Sequence, residues 1–206
     1  MITTNAARVQ RTGLSPLLRG LGLALAAGLL LYSMTLPWWR IVLHAPQYPK
    51  GLQAVAYLTR LEGDVAEIDT LNHYIGMMRL DDAARLEKSL VPYVLPAFAA
   101  LALLAIFLRG WWRWLAALPL ILFPAAFAAD LQAWLYIAGH TLDKRAPLSS
   151  SIKPFTPKLL GTGKIAQFAT TASFEAGFWV ALAAAVLAVV VLLQREPREG
   201  KGRRNG

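Results

Sequence analysis

The sequence predicts an all-α membrane protein, with four transmembrane helices and two large loops on one side of the bilayer. Three observations predict it. The 206 residues are 56% hydrophobic with a mean hydropathy of +0.45, yet they carry a net charge of +9. A water-soluble domain of this size rarely combines those values. Four apolar runs are each long enough to cross about 30 Å of hydrocarbon at about 1.5 Å per helical residue. Tryptophan and tyrosine gather near the ends of those runs, at the depth where amphipathic rings settle.

The first span covers residues 17–36 and follows Arg8, Arg11 and Arg19. Basic residues before an apolar run also suit a cleaved signal peptide. The run ends in Tyr32-Ser-Met-Thr-Leu-Pro-Trp-Trp39, without a small-x-small cleavage site, so an uncleaved signal anchor is expected. Gly20, Ala24 and Gly28 form a small-residue stripe suited to helix packing. The first loop, 37–90, holds weakly alternating residues from Leu52 to Leu61, a turn at Glu62-Gly-Asp64 and a short apolar stretch from Val65 to Ile68. That pattern predicts a small β-hairpin. Thr70 to Met78 reads as a short helical turn. Asp81 or Asp82 is placed to cap a helix, Ala83 to Leu90, that leads into the second span, 91–108.

The turn Arg109-Gly-Trp-Trp-Arg113 leads into the third span, 111–137, which carries Asp130 near its far end. The second loop, 139–174, contains Pro147, Pro154 and Pro157 and is expected as an extended strap. Its Ile152, Phe155 and Phe168 need apolar cover outside the bilayer, so the two loops should pack together. The fourth span, 178–193, presents a smooth face at Ala181, Ala184 and Ala185. The basic, Gly-rich tail from Arg195 reads as a topogenic, lipid-facing segment, with no nucleic-acid role expected.

Charge sets the expected orientation. Ten of the 21 Lys and Arg residues fall in the short segments 1–20, 109–113 and 194–206; the others spread over the two long loops. By the positive-inside rule both termini are cytoplasmic, in a cell inner membrane, and both loops lie outside with membrane lipid as their neighbour. The chain has no cysteine, which removes disulfides, thiolate metal sites, iron–sulfur clusters and c-type haem attachment. No Ser-His-Asp or paired-carboxylate arrangement stands out, and no enzyme is expected. Glu62, Asp64, Glu67 and Asp69 read as a solvated surface. Gly161-Thr-Gly-Lys164 is followed by Ile165 and so lacks the phosphate-loop pattern.

The stretch Thr70-Leu-Asn-His-Tyr-Ile-Gly-Met-Met78 invites a metal reading. Only three histidines and four methionines occur. In the expected topology His44, His73 and His140 all lie outside, with Met34, Met77 and Met78. Imidazole suits copper, zinc and iron, and thioether favours Cu(I). His73 and Met77 are spaced four apart, which puts them on one face of a helix. His44 or His140 would complete the site from another segment, and Asp130 or Asp143 would orient a ligating imidazole as an outer partner. The competing reading is structural: Ile75, Met77 and Met78 pack on the hairpin and His73 fills a polar gap.

Two stretches carry a resemblance. One is LHAPQYPKGL (43–52) followed by LNHYIGM (71–77). The other is GHTLDKRAP (139–147), continuing through IKPFTPKLLGTGKIAQF (152–168). Together they resemble a group of small four-span inner-membrane proteins associated with gene neighbourhoods of nitrous oxide reductase, an exported copper enzyme. The resemblance implies an accessory role in copper handling, or in maturation of an exported copper or redox enzyme and its assembly machinery. Its matching residues are His44, His73, Met77, His140 and Asp143. Lys144-Arg145 and the serines at 149–151 depart from it. The alternative is a structural or docking subunit that binds no metal. A haem b or quinone subunit fits least, since none of the four spans holds a histidine at mid-depth.

Overall fold

A computed structural model describes residues 15–148, 151–165 and 168–194; the basic tail from Arg195, together with Arg8 and Arg11, lies outside the described residues. Four helices are long and apolar enough to cross a membrane: α1 (Pro16–Ser33), α3 (Arg85–Leu104), α4 (Trp112–His140) and α5 (Ala176–Leu193). The chain is a multi-pass membrane protein. The helices form a closed ring in the order α1, α3, α4, α5, each packed on two neighbours. Small side chains let them approach. Ala181, Ala184, Ala185 and Ala188 of α5 are buried, as the alanine spacing predicts. On α1, Leu23, Ala26, Ala27 and Leu30 are the buried positions, whereas Ala24 and Gly28 are exposed. Of the expected stripe, Gly20 meets Ile106 while Ala24 and Gly28 stay outside the bundle contact; Gly22 lies close against Val191.

The expectation of an all-α protein is wrong. Both loops contribute to one five-stranded antiparallel sheet, so the fold is mixed α/β. Its strands are β1 (Trp39–Ala45), β2 (Tyr48–Ala56), β3 (Leu61–Gly63), β4 (Gly161–Ile165) and β5 (Phe168–Phe174), in the spatial order β3-β2-β1-β5-β4. The central strand, β1, pairs with β2 of its own loop and with β5 of the other. The expected packing of the two loops is thus realised through backbone hydrogen bonds. The first-loop hairpin differs from expectation. Its turn lies between Ala45 and Tyr48, and Val65 opens a helix, α2 (Val65–Ile75), in place of a returning strand. Asp81 and Asp82 sit in a short 3-10 turn; α3 begins beyond them at Arg85, without a side-chain cap.

Trp38 joins bundle to sheet. It is fully buried, and its indole Nε1 donates to the Ser33 carbonyl at 2.8 Å. Phe123 and Phe127 of α4 and Phe178 of α5 surround the ring at centroid distances of 4.7–6.2 Å. Its backbone N–H donates to Ala56 and its carbonyl accepts from Glu175, tying both strands that flank the bundle to one residue. Trp38 is therefore a core residue and not the lipid-facing anchor its position beside a span suggests. Trp111 and Trp112, at the opposite end, are exposed as interfacial rings should be.

Candidate functional site

Register decides which side chains share a face of the sheet. Trp39 pairs with Ala56, Ile41 with Ala54 and Leu43 with Leu52, so these six lie on one side. Helix α2 packs on β2. Its Ile68, Asn72 and Ile75 are buried at spacings of three and four, as one helical stripe requires. Leu43, Leu52, Ala54 and Ile68 form the small core of this cap.

The second loop then crosses over that core as a strap. Residues 152–158 have no regular secondary structure, in keeping with Pro154 and Pro157. Among the described residues, hydrogen bonds hold the strap at four points. Asp143 N–H donates to the Gly76 carbonyl at 2.8 Å and Leu148 N–H to Tyr74 at 3.0 Å. Phe155 N–H donates to Gly139 at 3.1 Å, and the Trp39 indole donates to the Leu159 carbonyl at 2.8 Å. Between strap, sheet and α2 lies a cavity of about 840 Å³. Its walls are mainly apolar, with Leu43, Ala54, Leu71, Ile152, Phe155 and Phe168 prominent among them.

Helix α4 is longer than a bilayer requires, and its C-terminal turns reach this cavity. Its 29 residues reach about 43 Å at about 1.5 Å each, against about 30 Å of hydrocarbon. The last turns therefore stand in the cap, and Leu135 from those turns lines the cavity. The space is partly open to its surroundings, and its walls are mainly apolar, so water that fills it lies against surface that favours an apolar guest. Such water also needs polar partners. The walls supply few. Asn72 is one, 6% exposed, with an amide Nδ2 that is buried without a hydrogen-bond partner. Volume and lining both match the small-molecule sites of proteins, which run from about 300 to 1,000 Å³.

The donors singled out for a metal lie apart from one another in their contacts. His44 is on the face of the sheet opposite the cavity, with Nε2 3.2 Å from Thr171 Oγ1. His73 is exposed on α2, its ring 6.2 Å from that of Tyr74. His140 ends α4; its Nδ1 is 2.9 Å from the Tyr136 carbonyl and its ring stacks on Tyr136 at 4.0 Å. Met77 does not share a helical face with His73. Gly76 adopts φ 79°, and the Met77 and Gly76 N–H groups close the helix on the Asn72 and His73 carbonyls. Met77 turns into the cavity wall instead.

Asp130 stands ten residues before His140 on one helix, about 15 Å along its axis, too far to orient that imidazole. Asp143 accepts from the Arg145 N–H at 2.9 Å within its own turn. Among the described residues no group of three or more His, Asp or Glu side chains could hold one ion. The copper expectation rests on the resemblance. A Cu(I) titration checks this point. His73→Ala and Met77→Leu should each leave the affinity near that of the unsubstituted protein, because His73 is exposed on α2 whereas Met77 faces the cavity.

Sequence reasoning missed Trp39, Asn72 and Phe155 as wall residues. Phe155 leaves a signal as an apolar residue that needs cover, and Asn72 as a polar residue inside the apolar stripe of α2. No family model, curated protein or solved structure matches the chain.

Proposed function

We propose that this protein is a non-enzymatic accessory subunit of a cell inner membrane, whose cap outside the bilayer holds an apolar guest. The single observation that carries the reading is the cavity of about 840 Å³ between the shared sheet and the strap. Both loops build it together, and neither could enclose it alone. The orientation follows from the basic residues in 1–20, 109–113 and 194–206. Guest binding at this depth gives an exported partner a membrane-anchored platform, which keeps the docking role within the same reading.

Native mass spectrometry of the full chain released from detergent tests it. An adduct should survive activation that strips detergent. Ala54→Phe puts a ring into the cavity wall and should lower adduct occupancy by about fivefold or more. Val55→Phe, on the other face of β2, should keep it. A protein that carries no adduct, or an adduct indifferent to Ala54→Phe, would overturn the proposal.

A further inference from the structure

We infer that the guest is an anionic lipid of the surrounding membrane, with acyl chain in the cavity and head group at the strap. The inference rests on the apolar-guest reading above and adds the chemistry of recognition. Charge is the first support. The second loop, 139–174, carries five basic residues against the single acid Asp143. Lys153 belongs to the cavity lining. Lys158 lays its stem over Gly163, with Cγ 3.2 Å from where a Cβ would sit, and its residue is exposed. Among the described residues the ion pairs are Arg40–Glu175, Arg60–Glu62, Arg79–Asp69 and Arg85–Asp82, so neither lysine is neutralised by a carboxylate. One such lysine on the lining and a second on the same strap suit an amphiphile with a negative end.

Depth is the second support. Leu135 sets one wall within the last turns of α4, while Tyr74 and Leu148, both about half exposed, join the lining. An acyl chain entering here would meet a mainly apolar lining. Asn72 is the third support. Its buried amide Nδ2, which has no hydrogen-bond partner, belongs to a residue of α2 at the cavity wall. An ester carbonyl of the lipid gives that donor the acceptor it lacks. A peptide guest would bring many backbone groups needing partners that these walls do not offer.

The test reconstitutes the full chain in nanodiscs of phosphatidylglycerol and phosphatidylcholine with identical chains, mixed equally, and reads the retained lipid by native mass spectrometry. Phosphatidylglycerol should be retained about tenfold over phosphatidylcholine. Lys153→Gln with Lys158→Gln should bring the ratio to about one, and the apparent unfolding midpoint should hold because both side chains are exposed. Asn72→Leu should lower total phospholipid retention without changing the ratio. Equal retention of the two lipids by the unsubstituted protein would overturn the head-group assignment while leaving the apolar-guest reading intact. Retention of only free fatty acid, or of a peptide mass, would overturn the lipid identity. Loss of lipid preference in none of the variants would overturn the role of the lysines.

Discussion

Trp38→Ala should lower stability by about 3–5 kcal/mol, the usual cost of truncating a fully buried tryptophan. The change removes the ring from Phe123, Phe127 and Phe178 and deletes the donor to the Ser33 carbonyl. Gly177 shows how tightly the site is filled: a Cβ there would lie 2.5 Å from the Trp38 ring. Thermal unfolding in detergent should show an apparent midpoint several degrees lower. Trp38→Phe should recover most of the packing and lose only the indole hydrogen bond, a difference of about 1 kcal/mol. A midpoint unchanged in Trp38→Ala would mean that the sheet and bundle do not share this residue.

Gly139→Ala should release the strap. In a free helix this change gains up to about 1 kcal/mol from propensity. Here the added Cβ would run into the Phe155 carbonyl oxygen, a backbone atom that a rotamer change does not move. Overpacking of this kind typically costs about 1–3 kcal/mol, so the clash wins. Hydrogen exchange should speed up by about tenfold at the Asp143, Leu148 and Phe155 amides, which donate from the strap to the Gly76, Tyr74 and Gly139 carbonyls. The bundle amides should keep their protection. Gly28→Ala is the matched control, since nothing lies within 4 Å of its Cβ position.

Much of this architecture is legible in the residues. The four spans lie where the apolar runs put them, with ends differing by a few residues. Pro154 and Pro157 announce the strap, and Ile152, Phe155 and Phe168 announce that it needs cover. The sheet is harder to read for physical reasons. Strand β4 is Gly-Thr-Gly-Lys-Ile, with two glycines that weaken any strand signal, and β5 is built largely of Ala, Thr and Ser. The partner of β1 on that side is more than 120 residues away in the chain, beyond any local pattern. The His73–Met77 spacing misleads because it ignores Gly76. A glycine at that point is a helix-stop signal, and its left-handed conformation cancels the four-residue periodicity. The cavity leaves almost no sequence trace, since its volume depends on how far the strap stands from the sheet.

A diffraction structure of the full chain, grown from a lipid phase, is the most direct measurement of what the cap contains. Elongated, continuous density should run from Leu43 and Ala54 toward Phe155, with its polar end near Lys153. A strap collapsed onto the sheet, with Phe155 and Phe168 closing the space between them, would contradict a cap built to hold a guest.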